Sequence, residues 1–221
     1  MRIYVMVGAP GAGKGTQAER LGARLGLVHV ASGDLFREVA AQDGPLARQV
    51  EQAMAQGRLV PDDVTVRLVL DRLARPDVRD TGAILDGFPR TGPQAEALDT
   101  ALRKQGARVD QALYVGVREP ELRRRLSGRW LCRAAGHPYH VVEHPPRVPG
   151  ACDIDGSPLY QREDDRPETV QARLEQQLPP MYDVVDHYTE RGILTAVDGE
   201  QSIDEVTAAL VQVIAAVAPA R

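Results

Sequence analysis

The chain has 221 residues, of which 43% are hydrophobic and 26% are charged, as is ordinary for a globular protein with one sizeable core. Its net charge of −4 argues against broad binding to nucleic acid, and no apolar run is long enough to span a membrane. With only two cysteines and no signal-peptide pattern at the start, we expect a cytoplasmic protein without nucleic-acid or membrane partners.

The first predicted strand, 3–7, runs into a glycine-rich loop from Gly8 to Thr16, and a helix is predicted from Lys14. This order is typical of a phosphate-binding loop, because glycines let backbone N–H groups turn inward and the helix adds its positive end. Lys14 supplies a point charge and Thr16 a hydroxyl for phosphate or Mg²⁺. A plain glycine-rich turn is the alternative, but it requires neither the preceding strand nor a lysine in a chain that otherwise uses arginine.

A second strand is predicted over 27–31, and the stretch 32–73 is nearly all helical without a strand between its helices. Ser32 or Asp34 can cap the first of these helices. A further strand, 83–86, ends in Asp86. A carboxylate at that position can hold Mg²⁺ through water, and the plainer alternative is a turn cap.

The rest of the chain continues this alternation with one interruption. The predicted elements are a helix over 93–104, a strand over 111–117, a helix over 119–126, a helix over 166–189, a strand over 193–197 and a helix over 203–217. Pro179-Pro180 predicts a break or kink in the long helix. Between 128 and 161 Pro and Gly become dense and the helical period vanishes, which indicates an inserted small domain or lid.

Strands that alternate with helices predict an α/β fold: a doubly wound, five-stranded parallel sheet with a phosphate-binding loop, an inserted helical segment and a small β-rich lid. Ligands of such sheets bind outside the carboxyl ends of the strands, so the glycine loop, Ser32 and Asp86 should meet at one edge.

Arginines flank the lid on both sides. They are Arg123, Arg124, Arg125 and Arg129 before it, and Arg162, Arg166 and Arg173 after it. Such arginines can close on phosphates when a lid shuts, although a solvated helix face is the ordinary explanation for any single one.

The lid also contains a candidate structural Zn²⁺ site made of Cys132, His137, Cys152 and Asp155. The spacing is incomplete, because Ala135 stands where a second thiolate of a Cys-x-x-Cys pair would be. A lid held by hydrogen bonds and small apolar contacts is the alternative, and both remain open from the sequence.

The motifs together resemble the adenylate kinase family in its long-lid bacterial form, over essentially the whole chain. The matching stretches are the glycine loop, Ser32-Gly-Asp34 with Arg37, Asp86-Gly-Phe-Pro-Arg90 with Gln94, Gly128-Arg129, Tyr160-Gln-Arg-Glu-Asp-Asp165 and Arg173. The resemblance implies reversible, Mg²⁺-dependent phosphoryl transfer, ATP + AMP to two ADP, in a monomer. It also implies a core of 1–31, 62–127 and 163–221, an AMP-binding segment of 32–61 and a lid of 128–162.

Residue roles follow from the same resemblance. The implied catalytic residues are Lys14, Asp86, Arg90, Arg129, Arg162 and Arg173. The implied ATP-binding residues are Gly11, Ala12, Gly13, Lys14, Gly15, Thr16, Arg125, Arg129, Pro138, Tyr139 and Gln201. The implied AMP-binding residues are Ser32, Arg37, Arg58, Leu59, Val60, Gly87, Phe88, Pro89, Arg90, Gln94, Arg162 and Arg173.

Two alternatives to this function differ in kind. A kinase for another nucleoside monophosphate, such as UMP or CMP, would keep the same loops, although Ser32 and Gln94 favour adenine. A non-catalytic nucleotide-binding module would not need Arg90 or the arginines that flank the lid.

Overall fold

The computed structural model describes residues 1–217. Its strands are β1 Ile3–Val7, β2 Val28–Ala31, β3 Ala83–Asp86, β4 Gln111–Gly116, β5 Arg129–Cys132, β6 Pro138–His140, β7 Leu159–Tyr160 and β8 Leu194–Asp198. Its helices are α1 Lys14–Leu25, α2 Ser32–Ala40, α3 Pro45–Ala55, α4 Asp62–Leu73, α5 Pro76–Thr81, α6 Gly92–Lys104, α7 Glu119–Ser127, α8 Pro167–Glu190 and α9 Ile203–Val217.

The main sheet confirms the predicted fold class. Five parallel strands lie in the order β2-β3-β1-β4-β8, so the first strand is central and both of its neighbours pair with it in register. All five residues of β1 are buried, as expected for a parallel strand covered on both faces. Helices α1 and α9 pack together against the sheet, and α8 packs against β1, α6 and α7. This apolar framework fixes where the strand ends lie.

The helical stretch after β2 has its own apolar cluster. Phe36, Val50, Val60 and Val64 are among the buried residues that α2, α3, the loop after α3 and the start of α4 bring together, separate from the main core. A segment with a separate core can move relative to the sheet without disturbing the packing of the sheet.

The lid is a second, antiparallel sheet of three short strands in the order β6-β5-β7. Its buried residues are Cys132, Tyr139 and Cys152, with Trp130 and Leu159 packed against them. This cluster is small, so the lid has little apolar support of its own.

The helices differ from expectation at two points: the long helix does not break at Pro179-Pro180, and no side chain caps α2. Helix α8 continues through Pro179 and Pro180, because buried residues on both sides, Leu174 and Val184 among them, keep it packed although two backbone N–H donors are missing. Ser32 does not cap α2, since its hydroxyl instead donates to the carbonyl of Gly87 at 2.7 Å. The short helix α5 was not predicted, because its residues show no apolar periodicity in the sequence.

None of the helices in residues 1–217 combines the length and the apolar character that crossing a membrane requires.

Candidate active site

The glycine loop wraps closely around the side chain of Lys14. Gly11 and Gly13 have φ values of 84° and 89°, in the left-handed region that favours glycine. A Cβ on Gly11 would lie 2.9 Å from Cγ of Leu126, so the close packing of the loop also requires glycine there. Lys14 Nζ donates to the carbonyl of Ala9 at 2.8 Å, which folds the lysine back over the loop. The first N–H groups of α1 have no partner within the helix, so they are available to an anion.

Lys14 is surrounded by other cations. Burial lowers the pKa of Lys14 to about 8, Asp86 opposes this shift, and Arg90, Arg173 and Arg129 add to it. A lysine whose charge is disfavoured in this way gains most when a polyanion enters the cavity. The charges of Lys14 and of these arginines are therefore coupled, and a bound anion would stabilise all of them.

Asp86 ends β3 next to the loop. A Cβ on Gly15 would lie 3.2 Å from Asp86 Oδ2, so this glycine allows the close approach of α1 to the carboxylate. Burial alone would raise the pKa of Asp86, but the nearby imidazole of His29 and the charge of Lys14 lower it, so the group is ionised. Its neighbour His29, whose Nε2 is 3.6 Å from Oδ2, has a raised pKa because Asp86 outweighs the effect of burial. His29 lines the cavity, although no motif in the sequence singled it out.

Two buried aspartates that follow strand β7 hold three arginines. Asp165 accepts from Arg129 at 2.6 and 2.8 Å and from Arg173 at 2.8 Å, while Asp164 accepts from Arg162 at 2.6 and 2.9 Å. Asp165 is fully buried. Burial alone would raise the pKa of Asp164, but the arginines lower it. Sequence reasoning assigned no role to these aspartates, although their adjacency to Arg162 was a usable signal.

Arg173 is the most enclosed of the three arginines. Burial lowers its pKa to about 10, against the effect of Asp164. Its Nε is buried and has no hydrogen-bond partner among residues 1–217. This guanidinium therefore remains protonated at neutral pH and retains one unused donor.

Arg90 follows a turn that requires glycine at position 87. Gly87 has a φ of 73°, and a Cβ there would lie 2.7 Å from Ser32 Oγ and 2.8 Å from a nitrogen of Arg90. Arg90 Nε donates to the carbonyl of Gly87 at 2.7 Å, and Nη1 donates to Gln177 Oε1 at 3.2 Å. The turn thus fixes both the backbone and the guanidinium.

Two adjoining cavities share this set of arginines. The first is lined by the glycine loop, Lys14, Thr16, Asp86, Arg125 and Arg129, and the second by Arg58, Leu59, Val60 and Gln94. Both are lined by Gly33, Arg90, Arg162, Arg173 and Gln177. Three arginines at a shared border suit a charged group that passes from one cavity to the other.

Several predicted site residues lie away from the cavity walls. Phe88 and Ala12 are buried in the core, and Tyr139 is buried in the lid, where its hydroxyl donates to Cys152 Sγ at 3.4 Å. Gln201 is exposed in the turn after β8. Arg37 lines the first cavity rather than the second and pairs with Asp34. Pro138 and Pro89 also line the first cavity.

The lid brings the four candidate zinc ligands together. One ligand atom from each of Cys132, His137, Cys152 and Asp155 lies within 4.8 Å of the others. His137 Nδ1 is 3.4 Å from Cys132 Sγ, 3.3 Å from Cys152 Sγ and 3.3 Å from an Asp155 oxygen. Two sulfurs, one imidazole and one carboxylate fit the donor set and the four-coordinate geometry of structural zinc.

The surroundings of these groups favour their deprotonated forms. Burial alone would raise the pKa of Cys132, but hydrogen bonds, including the one from the backbone of Ala135, lower it to about 7. The pKa of Asp155 is also lowered, chiefly by hydrogen bonds from Ser157. Ala135, which stands where a second cysteine of the pair would be, donates its backbone N–H to Cys132 Sγ at 3.2 Å.

Comparison with known proteins gives a consistent result. A family model described as adenylate kinase matches residues 6–193. The chain is 50% identical over 208 residues to an adenylate kinase of Acidothermus cellulolyticus, covering 94% of this chain and 95% of that protein. It is 47% identical over 210 residues to one of Moorella thermoacetica, covering 95% and 96%, and 44% identical over 202 residues to one of Listeria innocua, covering 91% and 94%.

Proposed function

The chain belongs to the adenylate kinase family, and we propose from that premise how its residues divide the work of the reaction. The function is that of a nucleoside monophosphate kinase: it transfers a phosphoryl group reversibly, ATP + AMP to two ADP, and so serves adenine nucleotide homeostasis. The family uses Mg²⁺ with ATP. The residue roles and the division of the chain that follow are our proposal.

ATP is proposed to occupy the first cavity. The glycine loop from Gly11 to Thr16 binds its phosphates through backbone N–H groups, and Lys14 neutralises their charge. Arg125 and Arg129 approach from the lid side. The support is that all of these except Ala12 line one cavity, and that the depressed pKa of Lys14 would recover beside a phosphate.

AMP is proposed to occupy the second cavity. Leu59 and Val60 line its apolar side, Gln94 offers an amide to the base, and Arg90 approaches the phosphate. The support for this placement is that the second cavity opens onto the same arginines as the first. Two nucleotides would then face each other with their phosphates at the shared border.

The transfer itself needs little covalent participation by the protein. Arg90, Arg162 and Arg173 neutralise the charge on the phosphoryl group and align donor and acceptor, which is most of what catalysis of this step requires. Closure of the lid excludes water that would otherwise take the phosphoryl group. The single observation that carries the proposal is that both cavities share these three arginines.

The residues present fit a Mg²⁺ ion. Asp86 is ionised and shares the cavity wall with Thr16, so a carboxylate and a hydroxyl oxygen, the hard ligands that Mg²⁺ prefers, lie on one side of the phosphate loop. Mg²⁺ bound with ATP supplies further neutralisation of phosphate charge. Asp86 and Thr16 would hold and orient it.

The proposed division of the chain has a core of 1–31, 62–127 and 163–221, an AMP-binding segment of 32–61 and a lid of 128–162. Residues 218–221 of this core lie outside the described part of the chain. The separate apolar clusters of the helical segment and the lid support this division. The lid ligands Cys132, His137, Cys152 and Asp155 are proposed to hold a structural Zn²⁺.

A cytoplasmic monomer is also proposed. Cys132 and Cys152 form no disulfide, which suits a reducing compartment, and one chain supplies every residue that lines both cavities. Light scattering of the purified protein would test the monomer.

The test of the proposed function is a phosphate-acceptor assay with ATP and Mg²⁺ that compares AMP, CMP, UMP and GMP. We expect AMP to be the preferred acceptor by a wide margin. Equal use of CMP or UMP would contradict the adenine-binding assignment of the second cavity. Nucleotide binding without turnover would contradict the arginine assignment instead.

A further inference from the structure

The side-chain amide of Gln94 is held from two sides in the wall of the second cavity. The backbone N–H of Arg90 donates to Gln94 Oε1 at 2.8 Å, and Gln94 Nε2 donates to Asp62 Oδ1 at 2.7 Å. The other oxygen of Asp62 accepts from the hydroxyl of Thr91 at 2.8 Å. Gln94 is only 1% exposed, so water does not readily replace these partners.

These partners allow the amide only one orientation. A backbone N–H can only donate, and a carboxylate can only accept. Turning the amide over would place its NH₂ against the N–H of Arg90 and its oxygen against Asp62, which leaves two mispaired groups in a buried place. Gln94 therefore always presents the same pattern to the cavity: one free lone pair on Oε1 and one free N–H on Nε2.

We propose that Asp62 determines the specificity for the acceptor base, as a positioning residue that acts through Gln94. The fixed amide matches adenine, whose 6-amino group donates and whose N1 accepts. It opposes hypoxanthine and guanine, whose 6-oxo group accepts and whose N1–H donates. An amide free to turn over would serve both patterns. This inference rests on the proposed placement of the AMP base against Gln94.

Asp62 is suited to this task by its position. It is the first residue of α4, where the positive end of the helix favours a carboxylate. Its neighbour Asp63 is exposed at the same helix end, and no hydrogen bond joins it to Gln94 in residues 1–217. Asp63→Asn is therefore a matched control, since it removes the same charge from the same helix turn.

The experiment measures kcat/KM for AMP and for IMP, with ATP as donor, in the wild type, Asp62→Asn and Asp63→Asn. IMP differs from AMP only at the edge that Gln94 faces, whereas GMP adds a 2-amino group that can clash for other reasons. In Asp62→Asn the amide can turn over at the cost of only the Arg90 contact. We expect the IMP:AMP ratio to rise about tenfold, the usual scale for one mispaired buried group, and to stay at the wild-type value in Asp63→Asn.

Two further variants cover the case in which Asp62→Asn is poorly folded. Asp62→Ala, in which a water in the space left by the carboxylate can donate or accept, should raise the ratio as well, while Asp62→Glu, which can only accept, should retain the wild-type ratio even if turnover falls. The proposal is overturned if Asp62→Asn or Asp62→Ala lowers AMP and IMP turnover equally. A wild type that uses IMP as well as AMP would instead overturn the placement of AMP on which the inference rests.

Discussion

The floor of the site and the lid above it are stabilised in different ways. The floor stands on β1, which is buried along its whole length and paired on both sides. The lid has three short strands and a buried cluster of three residues, and it leaves Val142 and Ile154 more than 70% exposed. Apolar burial thus fixes the floor, whereas the lid depends on the polar groups gathered around Cys132 and Cys152. Loss of a charge from the floor should lower turnover without unfolding the protein, whereas loss of the lid cluster should lower thermal stability.

The strongest test of this comparison is Lys14→Met. The change removes the charge that is proposed to face the ATP phosphates but keeps a side chain of similar length, so the loop remains packed. We expect kcat to fall by about 10³-fold, the upper range for loss of one stabilising donor in an active site, with no loss of thermal stability. A coupled assay and a thermal melt measure both. Near-normal turnover would refute the role of Lys14, and a lower melting temperature would refute the description of the floor.

Asp165→Asn probes the boundary between floor and lid. The variant loses the charge that holds Arg129 and Arg173 but keeps the shape of the side chain. We expect kcat to fall about 10- to 100-fold, because misplaced arginines stabilise the transferring group less well. Glu163→Gln is the control, since Glu163 is exposed in the same turn. Equal effects of the two changes would mean that the turn, rather than the carboxylate, matters.

The lid is tested by its metal content. Elemental analysis should find about one zinc per chain, and Asp155→Asn or a strong chelator should lower the melting temperature by about 5–10 °C, as expected for loss of a bound ligand in a chain of this size. Asp153→Asn changes a lid carboxylate outside the cluster and should have no such effect. Protein that melts normally and contains no zinc would show that hydrogen bonds alone hold the lid.

The same contrast explains what the sequence could and could not predict. Strands 3–7 and 83–86 were predicted because each is a short apolar run followed by a glycine, too short for a typical helix. The long helix over 166–189 was also predicted, but its unbroken course through Pro179 and Pro180 was not, because packing against residues far along the chain outweighs local preference there. Asp62 and Asp165 act through hydrogen bonds to residues 32 and 36 positions away, and no local pattern reports such contacts.

The smallest predicted effect is a proton taken up when nucleotide binds to the floor. Lys14 has a pKa of about 8 in the folded chain, against an ordinary value of 10.5, so between these limits the unfolded chain binds more protons. Stability should therefore rise as the pH increases through this window, and the cost of the buried charge is present below pH 8.

A bound phosphate restores the pKa of Lys14, so ATP binding near pH 8.5 should take up a fraction of one proton. Calorimetry in two buffers of different ionisation enthalpy measures this uptake. Lys14→Arg provides the control, because a guanidinium stays protonated throughout and should bind ATP without uptake. Equal uptake in both proteins would show that another group titrates and that the pKa of Lys14 is not lowered in the folded chain.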